Sequence, residues 1–248
     1  MDVALGIVAF WPALALGSFL NVVAARVPLH RSVVRPASAC MSCGSELAWR
    51  DNLPVVSWLL LRGRCRTCGT GISAIYPAVE LATAGLVASC FVVFGLTGKA
   101  FVASFFCVVL VVLSAIDLKH RIVPNRIVVP AAVVILVAQT ALSPSPEWAL
   151  GAIGASGFLL LAALAYPAGM GMGDVKLALL LGAMLGRVVG VGLMLGMIAA
   201  LVPSLVLLAR HGSAARKMGI PFAPFLALGA LIALFVGHPL LDAYLNHF

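Results

Sequence analysis

The chain is built from long apolar runs separated by short clusters of turn formers, and that pattern restricts its fold more than any other feature. Eight such runs lie near residues 3–25, 74–97, 100–117, 126–142, 148–168, 174–186, 190–209 and 222–245, the sixth being short. Breaks fall at Gly95 to Gly98, at Ser143-Pro144-Ser145-Pro146, at Gly169 to Gly173 and at Gly219 to Pro224. A helix of about 20 apolar residues crosses the ~30 Å hydrocarbon core of a bilayer. Within lipid each segment must satisfy its own backbone polar groups, so these segments are expected to be helices. The composition agrees: 10% of residues are charged, where a soluble domain carries about a quarter. The expected fold is an all-α polytopic membrane protein of about eight transmembrane helices, embedded in membrane lipid. A net charge of +8 raises the question of a nucleic-acid partner. In a membrane protein the placement of the cations decides instead, and no nucleic acid is expected.

Placement of the cations predicts a topology. The first run, from about Leu5 to Ala24, is long enough to span and lacks a basic segment before it, so it is not expected to be a cleaved signal. Arg26, Arg31 and Arg35 follow it, which puts that loop in the cytoplasm and the N-terminus outside. Segments 26–73, 118–126, 169–176 and 210–221 then hold 14 Lys/Arg on the cytoplasmic side, against Lys99 and Arg187 outside. The split supports eight spans with both termini outside. The expected organisation is a first helix at 1–25, a cytoplasmic loop at 26–73 and a core of about seven helices at 74–248.

Of the eight acidic residues, Glu80, Asp117 and Asp174 fall in or beside apolar spans. The charge rule sets all three near the cytoplasmic ends of their helices. Intramembrane acids are rare and face a bundle interior or a water-filled cavity. Two carboxylates held close together cannot both ionise cheaply, so they share a proton and titrate as a unit. The ionised one can take a proton from water while the neutral one protonates a peptide carbonyl, the arrangement of an aspartic protease. Simpler readings stand beside this. Asp174 can cap the helix that it starts, and Asp117 can pair with Lys119 or Arg121. Gly171 and Gly173 around Asp174 allow a close backbone approach.

The stretch GMGDVKLALLLGAMLG resembles the GxGD signature of intramembrane aspartic proteases, and AIDLKHRIVPN resembles the partner segment of the type IV prepilin peptidases. LGSFLNVVAARVP, LAWRDNLPVVSWLLLRGRCRTCGTGISAIYPAVEL and IPFAPFLALGA resemble further blocks of that family, in order, so the resemblance covers nearly the whole chain. Two departures are minor. CMSC stands where many relatives have proline after the first cysteine, and VPN where an aspartate often follows the proline. The resemblance implies a bacterial inner-membrane enzyme. Its substrates would be prepilins and the pseudopilins of type II secretion, from which it removes a short basic leader. It also implies methylation of the new N-terminus with S-adenosylmethionine, and Asp117 and Asp174 as the catalytic pair, near the cytoplasmic face. Which aspartate is the base is left open. A peptidase without methyl transfer, an ion or proton transporter using the membrane acids, and a non-catalytic assembly factor are the competing readings.

Cys40-Met-Ser-Cys43 and Cys65-Arg-Thr-Cys68 lie in the first cytoplasmic loop, 21 residues apart, each second cysteine followed by glycine (Gly44, Gly69). Two such knuckles can close a four-thiolate shell around Zn2+, with no open position for chemistry. A structural disulfide is disfavoured in the cytosol, and a redox CxxC pair is the alternative. Some members of the resembled family lack these cysteines, so zinc is not expected to serve the cutting step. Cys90 and Cys107 read as small packing residues. Ser18 and Asn21 share a helix face and suit interhelical hydrogen bonds. Gly182, Gly186 and Gly190 suit close packing or a turn around Arg187. Pro12 and Pro203 sit inside helical runs. His120 reads as a solvated loop residue or a neighbour that tunes Asp117, and Lys176 as a cation that snorkels to the surface. No Gly-rich Rossmann fingerprint follows a strand. A methyl donor must therefore bind loop and helix ends, and the resemblance favours the block from Glu46 to Arg64.

Overall fold

The computed structural model describes residues 2–166, 170–212 and 219–246, with the His211 side chain excepted. Arg216, Lys217 and His247, and Gly169 of the third break, lie outside the described residues. Nine α-helices are found among the described residues: α1 Asp2–Arg26, α2 Val56–Leu60, α3 Ile75–Phe94, α4 Gly98–His120, α5 Asn125–Leu142, α6 Glu147–Ala165, α7 Met172–Leu185, α8 Val189–His211 and α9 Ala223–Leu245. No strand occurs among them, only isolated bridges between Ala39 and Glu46 and between Arg64 and Gly71.

Among the described residues seven stretches are long and apolar enough to cross a membrane: Asp2–Leu29, Ile75–Phe94, Gly98–His120, Asn125–Leu142, Glu147–Ala165, Met172–Arg210 and Ala223–Leu245. Large apolar side chains such as Trp11, Ile153 and Leu161 stand 66%, 67% and 69% exposed along them, a surface fit for lipid and not for water. The 39-residue stretch Met172–Arg210 would be about 58 Å long as one helix, nearly twice a bilayer core. It is broken at Gly186, whose φ of +53° suits glycine and ends α7. The result is eight apolar helices, of which the sixth, α7, has 14 residues, about 21 Å. The protein is an all-α polytopic membrane protein.

Contacts divide the chain into two compact units, Met1–Ala115 and Ile116–Phe248. In the first, α1 and α3 run antiparallel with their backbones almost touching. A Cβ on Gly17 would lie 2.6 Å from the Glu80 Cα, and one on Gly6 would meet Val92. Further along the same register, Asn21 Nδ2 donates to the Tyr76 carbonyl (3.1 Å). Ala13, Leu14, Ala84, Val87, Phe91 and Ala100 form the core between them. Small residues admit this approach, and without a hydrophobic drive inside lipid the close van der Waals contact is what holds the pair.

In the second unit α7 is wrapped by α5, α6, α8 and α9, and nearly every residue from Val175 to Leu185 is buried. Gly182 of α7 meets the Gly151 backbone of α6, and Gly229 of α9 meets that of Gly192 and Gly196 in α8. Gln139 of α5, itself buried, donates Nε2 to the Met184 carbonyl at 3.1 Å. This central short helix carries Asp174 in its first turn.

Candidate active site

Asp117 lies near the end of α4 and is 6% exposed. Its Oδ2 accepts the N–H of Ala223 at 3.0 Å, and the Phe222 N–H also donates to the carboxylate. These donors sit at the start of α9, where Pro224 follows. The first N–H groups of a helix have no partner within it, and proline is tolerated there, so the Phe222-Ala223-Pro224 turn offers ready-made anion donors. Asp117 makes no ion pair within 4.0 Å with Lys119 or Arg121, although the Arg121 charge acts on it. The ion pair within 4.0 Å among the described residues is Arg66–Asp51.

Asp174 is the third residue of α7. Its Oδ2 accepts the Gly171 N–H at 3.3 Å, and its own N–H donates to the Gly171 carbonyl at 3.0 Å. The capping role is therefore real. It engages one carboxylate oxygen, Oδ2. The charge on Asp117 acts directly on Asp174, so the two acids, 57 positions apart by number, are neighbours within the second unit. The segment between α4 and α5 is fastened to this turn. A Cβ on Gly173 would stand 3.0 Å from the Val123 Cβ, and Lys176 Nζ donates to Asn125 Oδ1 at 2.8 Å. Lys176 thus ties two segments together where snorkelling was expected. His120 closes α4, and its Nε2 is sealed from solvent without a partner among the described residues.

Sequence reasoning missed the α9 amides. IPFAPFLALGA stood out as a block, yet nothing in it names Asp117 as the acceptor. The proline near the head of an apolar run was the available signal, since it marks where N–H groups point outward.

Glu80 lies in the first unit, 7% exposed, and its Oε2 accepts the Val55 N–H at 2.7 Å. Ser18 of α1 also hydrogen-bonds it. Val55 has φ +61°, a left-handed conformation that a β-branched residue adopts only under strain.

The two knuckles are copies of one geometry. Cys40 N–H donates to the Ser45 carbonyl (2.9 Å) and Cys65 N–H to that of Thr70 (2.8 Å). Gly44 and Gly69 both have φ +71° and donate to the Cys40 and Cys65 carbonyls. The four Sγ atoms lie within 4.8 Å of one another, and Cys40 Sγ is 3.8 Å from Cys68 Sγ. Sulfurs about 2.3 Å from a tetrahedral ion are about 3.8 Å apart, so these four cysteines can hold a metal. Hydrogen bonding prepares the thiolates. The Ser45 hydroxyl pulls the Cys43 thiol below its ordinary range, the Thr70 hydroxyl does so for Cys68, and the Cys68 N–H for Cys65. Cys40 is pushed up although the Cys43 and Ser42 N–H groups favour its thiolate, because burial and the neighbouring Cys65 and Cys43 sulfurs favour its proton.

The profile of the Bacterial Peptidase A24 N-terminal domain matches residues 12–94, and that of the Type IV leader peptidase family matches residues 104–238, more than half of the chain. The chain belongs to the type IV leader peptidase family. A prepilin leader peptidase/N-methyltransferase of Bacillus subtilis is 35% identical over 94% of this chain and 95% of its own length. Another of that name, from Myxococcus xanthus, is 42% identical over 79% of this chain and 61% of its own length. A third, from Burkholderia pseudomallei, is 34% identical over 91% and 84%. No solved structure matches the chain. The leader peptidase profile spans both Asp117 and Asp174, and the N-terminal profile spans Glu80 and all four loop cysteines. Family and helices together make this a multi-pass inner-membrane protein.

Proposed function

We propose that this protein removes the leader peptide of prepilins or pseudopilins with Asp117 and Asp174 as its acid–base pair, and methylates the N-terminus that cleavage exposes. The observation that supports the cutting chemistry is the placement of both carboxylates in one unit, within electrostatic range of each other. One proton shared by the pair leaves one carboxylate to take a proton from water and the other to protonate the scissile carbonyl. The Ala223 and Phe222 amides hold Asp117 in place, and the Gly171 amide does so for Asp174. Each acid stands near a helix end bordering a loop. The cation distribution puts that end of each helix at the cytoplasmic face and both termini outside, where a leader preceding a membrane-embedded pilin helix would lie.

The test is cleavage of a prepilin by the purified protein. Asp117→Asn and Asp174→Asn are each expected to lower the rate by at least about a hundredfold, the scale of lost acid–base catalysis, with expression and unfolding in detergent unchanged. A variant that still cuts at the wild-type rate removes its aspartate from the mechanism.

The four-cysteine site is read as a structural zinc centre: four thiolates suit Zn2+ and close its shell. It would fold a loop that is too polar and short to hold itself. Methyl transfer draws on S-adenosylmethionine, which supplies a sulfonium methyl group: the amine lone pair takes the methyl, the C–S pair stays on sulfur, and the amine proton leaves to water. The relatives' names support this half of the reading. Labelled pilin after incubation with methyl-labelled donor is the expected result, and cleaved but unlabelled pilin would make this chain a peptidase alone.

A further inference from the structure

We infer that Lys176 and Asn125 form a latch that sets the spacing of the acid pair, which makes both of them positioning residues for the cutting step. The inference rests on the reading of Asp117 and Asp174 as that pair. Asp117 lies three residues before the end of α4. The chain then leaves the helix through Arg121, whose φ of +55° is a left-handed turn uncommon outside glycine. It reaches Val123, Pro124 and the head of α5 at Asn125. From Asp117 to Val123 the backbone can extend at most about 15 Å, at ~1.5 Å per residue in the helix and ~3.5 Å beyond it. This short arm is fastened to the head of α7 at two points that bracket Asp174. On one side, Gly173 lies so close to Val123 that an added Cβ would stand 3.0 Å from the Val123 Cβ. On the other, Lys176 Nζ donates to Asn125 Oδ1 at 2.8 Å.

The two fastenings differ in kind. Val123 against Gly173 is a van der Waals contact, which limits how near the segments come but resists separation only weakly. The Lys176 bond is directional and charge-assisted, so it also holds them from drifting apart. Asn125 is exposed and Lys176 half-buried. Water can therefore replace either partner, and loss of the bond costs the fold little. The reaction is less forgiving. Two carboxylates share one proton only at close range, and displacing a catalytic group by about 1 Å can cost about a hundredfold in rate. A left-handed turn at a residue other than glycine persists where its surroundings hold it, and the latch and the Gly173 contact supply that hold two and four residues further on. The Arg121 N–H in turn donates to the Asp117 carbonyl at 2.9 Å. Slackening the arm thus acts on the residue that carries one acid, while the latch itself rides two residues from the other.

The test is steady-state prepilin cleavage by the purified full-length protein in detergent. Thermal unfolding and amide hydrogen exchange are read on the same preparations. Lys176→Met keeps the apolar stem and removes the donor, and Asn125→Leu removes the acceptor. Each is expected to lower kcat by at least about tenfold, with KM within about twofold of wild type and Tm unchanged. The double variant should be no slower than the slower single, since the same bond is lost in each. Lys176→Arg and Asn125→Asp keep a donor and an acceptor and should retain most of the rate. Exchange should quicken in segments 121–125 and 171–174 of Lys176→Met and not elsewhere. Lys99→Met, which removes an exposed ammonium in the first turn of α4, should change none of these. Wild-type kcat in both Lys176→Met and Asn125→Leu would overturn the latch. So would a raised KM with kcat unchanged in Lys176→Met alone, the mark of direct substrate contact. Asp117→Asn or Asp174→Asn cutting at the wild-type rate would overturn the acid-pair reading and the latch with it.

Discussion

Two kinds of acidic side chain in this protein are held by hydrogen bonds to neutral groups. Asp117 is 6% exposed and uses the backbone amides of Ala223 and Phe222. A carboxylate so placed needs every acceptor satisfied, because an unpaired buried charge is expensive. The cysteine thiols use hydroxyls and amides in the same way. Cys43, Cys65 and Cys68 lose their protons more readily than free thiols, so they stay deprotonated, and metal-competent, to lower pH. Metal close to one ion per chain is expected near neutrality, released as acid returns protons to sulfur. Replacing Ser45 with Ala removes the hydroxyl 3.0 Å from Cys43 Sγ, which raises that thiol and should move the release to higher pH. A metal-sensitive dye in a pH titration reads both. Spacing alone made these four ligands visible, because each knuckle is local. The amides around Asp117 were not visible, since a donor 106 positions away leaves no local trace.

At the level of elements, α7 decides most. It has 14 residues, too few to span the core alone, and is shielded by its neighbours from lipid. Its register against α6 depends on Gly182 lying on the Gly151 backbone. Gly182→Ala is expected to force those backbones apart at a cost of about 1–3 kcal/mol. Because Asp174 rides on the same helix, cleavage should fall with it; denaturant unfolding and prepilin cleavage measure the two effects. Hydropathy showed the short sixth run and its glycines, so the helix was legible. Which glycine does what was not. Gly182 packs, Gly186 turns the chain and Gly190 meets nothing within 4 Å, three outcomes from one spacing that only the neighbouring helices distinguish.

Across the whole molecule, cation placement predicts sidedness, and eight crossings, with α7 counted among them, would give both ends of the chain the same side. Alkaline phosphatase joined to either terminus should be active outside the cytoplasm, while the same reporter inserted after Arg35 should be silent. An active fusion at the loop would invert the topology and put the carboxylate pair at the wrong face for a leader. Helix number and type were readable because lipid rewards one pattern of composition over about twenty residues at a time. The pairing of α1 with α3 was written in Gly6 and Gly17 but needed their partners to be seen. The amide cradle of Asp117 has a consequence for biogenesis. Its donors head α9, 106 positions further along the chain, so a nascent polypeptide halted before that point carries an acid without them. Proteolytic competence would thus arrive only once α9 has been made, and a fragment abandoned earlier could not nick the pilins inserted beside it.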